Sequence, residues 1–298
     1  MLTGTNEEAL RFFTLLKRRG LPVRLQQGMD GFSLASLQEL RVFLNYLDTR
    51  LQGSPVFSRE LWEQAKAHTE RVCQGSEALG LCRRLWRDFE ETGCGRYRSD
   101  LENFIRESRE EDFLEEDRKA VTVSTVHKAK GREFDQVWLM QRENREETEE
   151  EKRRIYVGLS RAKDELYLHV PGGGFAFDLP KEIEVTEEES EEPAPPEIML
   201  QLGHRDVVLS FFRSREELLG RLLAGVPLRL EGEYLTAEAG DGRTKTAKLS
   251  RACLERIGAL QARGYRFREG KIRYVVAWKP EDGPECWIVL PDLVFELA

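Results

Sequence analysis

Apolar residues at Leu10, Phe12, Phe13, Leu15 and Leu16, set among polar ones after Asn6 and closed by Gly20, predict an amphipathic helix over 6–20. "LPVRLQ" then reads as a short strand. From 33 to about 118 the spacing stays helical. Leu34, Leu37, Leu40, Phe43, Leu44 and Leu47 recur behind Ser33 as a candidate N-cap, and "RELWEQAKAHTERV", "EALGLCRRLWRDFEE" and "SDLENFIRESREEDFL" continue the pattern. "AVTVSTV" (120–126) is β-branched and alternating, so a strand. "DQVWLMQ" is a second strand whose continuous hydrophobicity predicts burial on both faces. "EEKRRIYVGLSRA" predicts a short helix and "ELYLHV" a third strand. Strands alternating with helices predict an α/β domain on a largely parallel sheet, with a helical insertion at about 33–118.

The pattern stops at 176–197. Within it, "KEIEVTEEESEEPAPPE" (181–197) holds eight Glu, one Lys and three Pro, with no aromatic residue and no periodic apolar spacing. It reads as a self-repelling linker and a domain boundary. Beyond it, "REELLGRLLAG" predicts a helix and "VPLRLEGEYLTAEAGDGRTKTAKL" strands with a Gly-Asp-Gly turn. "SRACLERIGALQARG" predicts a helix between Ser250 and Gly264, and "YRFREGKIRYVVAWKPEDGPECWIVL" a β-hairpin. The expected organisation is an α/β domain over 1–175, the linker 176–197, and a small α+β domain over 198–298.

Composition narrows the class. The 298 residues are 40% hydrophobic and 34% charged, a soluble globular balance, and no apolar run approaches the ~20 residues that span a bilayer. "MLTGTNEEALRFF" lacks the features of a secretory signal. Five cysteines without a C-x-x-C pair disfavour a zinc cluster or disulfide framework and fit a reducing cytoplasm. The net charge of −8 would argue against nucleic acid, yet the segment 181–197 carries −7 of it (one Lys less eight Glu), which leaves −1 elsewhere. Global charge is therefore silent about a local groove.

Two stretches look unlike core. "STVHKAKGREF" (124–134) follows the end of a strand, where open α/β sheets bind ligands. "RIYVGLSRAK" (154–163) ends a helix that runs into a strand, so both belong to connections of one sheet and can converge on one ligand.

These residues resemble motifs V and VI of the UvrD/Rep superfamily-1 DNA helicases. Thr125, His127, Lys130, Gly131, Glu133 and Phe134 are similar to the family pattern T-x-H-x-x-K-G-x-E-F. Tyr156, Val157, Gly158, Ser160, Arg161 and Ala162 are similar to Y-V-[GA]-x-[ST]-R-A. "LTGTNEEALRFFTLLKRRGLPV" looks like the family's motif IV strand and helix, and "GFSLASLQELRVFLNYL" like the start of its helical insertion, so the resemblance spans about 1–170. It implies the second RecA-like domain of a motor that clamps ATP with Mg between two such domains. Arg161 would be the arginine finger, a permanently charged fork suited to the transferred phosphoryl group. Glu133 would accept from the ribose, with Gly131 allowing close approach. Thr125 and His127 would contact the phosphates of single-stranded or partly duplex DNA, with Lys128 and Lys130 adding positive charge.

Plainer readings stand beside these. Arg161 alone suits a helix C-terminus, His127 alone is a structural histidine as readily as a DNA contact, and Tyr156 reads as core packing. The chain also departs from the family. It has no G-x-x-x-x-G-K-[ST] phosphate loop and no acidic strand end to polarise water, so ATP hydrolysis by this chain alone is not expected. Gly4 stands where motif IV carries Arg, and the insertion is short. The expectation is a motor half, working in DNA repair or related metabolism with an N-terminal motor domain in cis or in trans. The alternative is a non-catalytic DNA- or protein-binding module that keeps the RecA-like fold. Starting one strand into a domain suits a split gene or a fragment.

In the second domain "LGHRDVVLSFF", "AGVPLRL" and "KIRYVVAWK" look similar to the extreme C-terminal region of some large bacterial fusion proteins that join RecQ-like and UvrD-like helicase segments. The hairpin of this domain interleaves Arg266, Arg268, Lys271, Arg273 and Lys279 with Tyr265, Phe267, Tyr274 and Trp278. That suits either a nucleic-acid grip or an ordinary twisted sheet.

Overall fold

A computed structural model describes all residues except 27–31, 94, 114–119, 142–147, 172–182, 188–193, 214, 240–241 and 281–282. Met1–Gln27 with Glu116–Ile198 form one compact unit, and Gly28–Glu115 with Met199–Ala298 form another.

The first unit is built on β1 (Leu2–Thr3), α1 (Asn6–Arg18), β2 (Val23–Gln26), β3 (Val121–Thr125), β4 (Phe134–Met140), α6 (Glu149–Leu159) and β5 (Ala162–His169). The sheet order is β2-β3-β1-β4-β5, and every neighbouring pair is parallel. This is the parallel α/β sheet that the alternating strands and helices predict, and it is consistent with the RecA-like fold that the resemblance implies. Helix α1 starts where Thr5 caps it. The Thr5 hydroxyl accepts from the Glu8 amide while Glu8 Oε2 accepts from the amides of Gly4 and Thr5, a reciprocal box that satisfies the free amides of the first turn. Leu2, Val126, Ala129, Val137 and Leu139 form the core, with Phe134, Val157, Leu159, Ala162 and Leu168 packed around them.

Strand β4 is covered on one face only. Val137 and Leu139 are buried, but Gln136 and Trp138 are exposed, and Trp138 stacks on Tyr167 of β5 with ring centroids 4.8 Å apart. The aromatic pair covers itself, which is how a continuous apolar run comes to lie at a surface.

The second unit joins two stretches distant in sequence. Helices α2 (Gln38–Leu51), α3 (Arg59–Val72), α4 (Leu79–Glu91) and α5 (Arg98–Glu107) lie between β2 and β3 along the chain, where the insertion is expected. They pack with the C-terminal sheet. That sheet comprises β6 (Glu197–Gln201), β7 (Pro227–Glu231), β8 (Tyr234–Ala239), β9 (Gly242–Lys248), β10 (Tyr265–Trp278) and β11 (Cys286–Leu297), in the order β6-β11-β10-β7-β8-β9. Short helix α7 (Glu216–Leu219) and α8 (Arg251–Ala262) complete an α+β unit. Leu37 bridges to Val276, the Gln38 side-chain amide donates to the Gly220 carbonyl at 2.7 Å, and the Glu77 amide donates to the Ala224 carbonyl at 3.0 Å. The helical core is aromatic: Trp62 stacks on Phe57 with centroids 5.3 Å apart, meets Phe43 edge-on at 5.0 Å, and donates from Nε1 to Glu90.

Two local expectations change. Ser33 precedes a 3-10 turn over Leu34–Ser36 and makes no capping bond, because Leu37 takes an extended conformation to bridge the sheet and α2 starts after it. The helix expected at "REELLGRLLAG" is only the four residues of α7, and the chain turns at Gly225 with φ +95°. The 114–118 end of the insertion, most of the 176–197 linker and the turns at 240–241 and 281–282 lie outside the described residues.

Candidate functional site

The loop from Thr125 to Phe134 does more than turn a corner. Leu2 of β1 registers with Ser124 on one side and Leu139 on the other, and Leu139 lies five residues beyond Phe134 (139 − 134). At ~3.3 Å per residue the loop therefore begins at the carboxyl edge of the sheet and ends roughly 17 Å away at the amino edge of β4. It crosses the sheet face with Val126 and Ala129 buried in the core beneath it. The amides of Lys128 and Ala129 donate to the Thr125 carbonyl, both at 3.1 Å, and the Arg132 amide to the Ala129 carbonyl at 3.1 Å. Gly131 sits at φ +84°, a conformation that glycine adopts without steric cost, and open space surrounds the position a Cβ would take.

The candidate residues are strung along this loop, with Thr125 at its start and Glu133 at its end. At the carboxyl edge, Thr125 is 6% exposed, and its Oγ1 accepts from the Lys128 amide at 3.4 Å. His127 and Lys130 are exposed and Lys128 half-buried. At the amino edge, Glu133 is exposed, and Lys163 Nζ lies 4.0 Å from its carboxylate. Such an exposed pair is weak, so the carboxylate stays available. Lys163 is a neighbour the motif reading misses; it becomes visible only once the register Phe134↔Ala162 sets the two strand starts side by side.

Arg161 joins the loop to the helix. Its Nε donates to the Val157 carbonyl at 3.0 Å, Nη1 to the Arg132 carbonyl at 3.1 Å, and Nη2 to Ser160 Oγ at 3.0 Å. Its own carbonyl accepts from the Phe134 amide at 2.9 Å. Helix α6 can end there because Gly158 lies against β4: a Cβ on Gly158 would stand 2.8 Å from Leu139 Cδ1. Three donors are engaged, and a guanidinium has five N–H groups, which leaves two. Tyr156 is 72% exposed, not core packing as the plainer sequence reading expects, because α6 turns Ile155 and Gly158 inward instead.

The basic hairpin of the second unit is largely spent on packing. Lys271 pairs with Glu77 at 2.5 Å, Arg268 with Glu269 at 2.7 Å, and Arg273 with the buried Asp292 at 3.2 Å. Tyr265 is buried, and the Tyr274 hydroxyl donates to Glu110. These pairings favour the twisted-sheet alternative, with Tyr265 buried, Phe267, Tyr274 and Trp278 half-buried, and Lys271 held by Glu77.

Among the described residues, no helix is long and apolar enough to cross a membrane. A search of curated proteins found no match. The family model of the UvrD-like helicase C-terminal domain matches residues 54–171, a span that holds both the crossing loop and Arg161. Residues 198–298 lie outside that match. Residues 54–171 are therefore similar to the C-terminal domain of UvrD-like helicases.

Proposed function

We propose that this chain is the C-terminal half of an ATP-dependent DNA helicase or translocase. It supplies an arginine finger and a DNA-coupling loop to a nucleotide site completed by another domain or chain. The observation that carries the reading is the loop 126–133, which runs from the carboxyl edge of β3 to the amino edge of β4 inside the matched domain. Thr125, His127, Lys128 and Lys130, from the start of the loop to its middle, then serve single-stranded or partly duplex DNA, and Gly131, Glu133 and Arg161, towards its end, serve nucleotide.

The residues present fit one side of a nucleotide. Gly131 leaves open space for close approach, Glu133 offers an exposed carboxylate to a ribose, and Arg161 keeps two unspent N–H groups. Bound ATP would supply the phosphoryl group whose loss drives movement. The phosphate loop and the Mg-binding side chains have no counterpart in these 298 residues, so the partner must bring them. Arg161 is the group of this half that holds charge towards the phosphate. Because its fork is shared with the Arg132 carbonyl, any shift of the guanidinium is felt by the loop.

One observation favours a second reading. Arg161 is already satisfied by two backbone carbonyls and a hydroxyl, as a purely structural staple would be. In that case the chain is a non-catalytic DNA- or protein-binding module. DNA-stimulated ATP hydrolysis by the chain mixed with a motor domain carrying the phosphate loop decides between them. Arg161→Ala is expected to lower that rate by about 10³-fold, the scale of an arginine finger. An unchanged rate rejects the motor-half reading.

A further inference from the structure

The far end of the C-terminal sheet carries a polar face that neither the family match nor the crossing loop accounts for. Antiparallel register sets Arg229 of β7, Thr236 of β8 and Lys245 of β9 side by side, with Tyr234 beside Lys248 and Glu238 beside Arg243. A cavity of about 290 Å³ opens there, lined by Arg229, Thr236, Glu238 and Arg243 over Val226 and Pro227. Thr236 is 3% exposed, and its Oγ1 is buried without a hydrogen-bond partner among the described residues. A buried hydroxyl left unsatisfied calls for an unseen partner, since such groups are normally paired.

The cations around it are loosely committed. Arg243 meets Glu231 at 2.9 Å and Arg229 meets Glu238 at 3.8 Å, both in exposed pairs that contribute little. Lys245 lies 3.8 Å over the Tyr234 ring and Arg215 4.4 Å over the Phe211 ring. Arg215 also donates to the Lys245 carbonyl at 3.2 Å, which ties the two platforms together. Arg229, Arg243, Lys245 and Lys248 thus stand on β7 and β9, either side of β8, with Arg215 joined to them and Glu231, Glu233 and Glu238 among them.

We infer that this face is a second single-stranded DNA contact, in which Arg229, Arg243 and the Thr236 hydroxyl take a backbone phosphate while Lys245 and Lys248 hold its neighbours. Arginine forks and a hydroxyl donor match the several oxygens of a phosphate. The Phe211 and Tyr234 rings, 5.9 Å apart, give bases a surface that an acidic polypeptide would not need. The choice of ligand rests on the motor-half reading; the site itself does not.

The test is an anisotropy titration of a labelled oligo-dT strand with the full chain across a salt series. Arg243→Glu with Lys245→Glu is expected to weaken binding by at least about tenfold at low salt. The slope of log affinity against log salt should become shallower by about 1.4, for two lost contacts at ~0.7 each. Thr236→Val is expected to weaken binding several-fold while the melting temperature holds or rises, since an unsatisfied buried hydroxyl disappears. Unchanged DNA affinity in both variants overturns the inference. So does an equal loss from Arg83→Glu with Arg87→Glu on α4, which would mean bulk charge alone. So does oligo-dT binding that is absent in the wild type while a polyglutamate peptide binds. No readout needs ATP or a motor partner, so its failure and the failure of the Arg161 reading are separable.

Discussion

Arg161 donates from Nη1 to the carbonyl oxygen of Arg132 at 3.1 Å, and this bond fastens the end of α6 to the loop that crosses the sheet. A residue expected to act on nucleotide thus also holds the backbone that leads to His127. Removing it has a structural consequence apart from any activity. Arg161→Ala is expected to lower the unfolding free energy by about 1.5–3 kcal/mol, the scale of a charged hydrogen bond, and to speed amide exchange across 126–133. Denaturant titration and hydrogen exchange measure both. Arg161→Lys keeps the charge without the fork and should recover only part of the loss.

Two glycines of the matched domain serve different needs. Gly158 has no room: a methyl group there would meet the buried Leu139, so Gly158→Ala is expected to cost about 1–3 kcal/mol by overpacking. Gly131 has room but sits at φ +84°, so Gly131→Ala is expected to cost about 1–2 kcal/mol by backbone strain alone. Pairing each with Leu139→Ala separates them by thermal melting. The added space should relieve Gly158→Ala and leave Gly131→Ala unrelieved.

Asp292 gives the second unit a pH signature. Burial outweighs the attraction of Arg273 and Lys271 and raises its carboxyl from 3.8 to about 6. The folded chain therefore binds the extra proton between those values, so the contribution of Asp292 to stability falls as pH rises from about 4 to about 6 and is level above that. The interval amounts to at most about 3 kcal/mol. Asp292→Asn carries no titrating proton, so it should match the wild type most closely at low pH, where the buried carboxyl is neutral, and should lack this decline. Denaturation of both proteins at pH 4 and pH 6.5 checks it; equal differences between wild type and variant at the two pH values contradict it.

Local chemistry was legible in the sequence where backbone conformation depends on few residues. Ser250, Gly20 and Gly264 mark helix ends as their side chains or φ values require. The loop 124–134 and the 154–163 segment stand out because glycine, histidine and cations at fixed spacing make poor core. Pairings across long separations were not legible. Nothing local to Leu37 announces that it will bridge Val276, or to Glu77 that it will meet Lys271, yet these contacts join the helical region to the C-terminal sheet. Trp138 misled for a related reason. Its exposure depends on Tyr167, 29 residues away (167 − 138), supplying the covering ring. The crossing of the loop from one sheet edge to the other follows from register, which spacing alone does not specify.

The central claim is that one loop joins a DNA edge to a nucleotide edge. Its most direct test compares Arg161→Ala and His127→Ala in DNA-stimulated ATP hydrolysis, with the motor partner present and the oligo-dT concentration varied. The account predicts that Arg161→Ala lowers the rate at saturating DNA by about 10³-fold. His127→Ala should instead raise the DNA concentration needed for half-stimulation, with a much smaller effect on the saturated rate. If both variants change the same parameter, or neither changes any, the division of this loop into two working ends is contradicted.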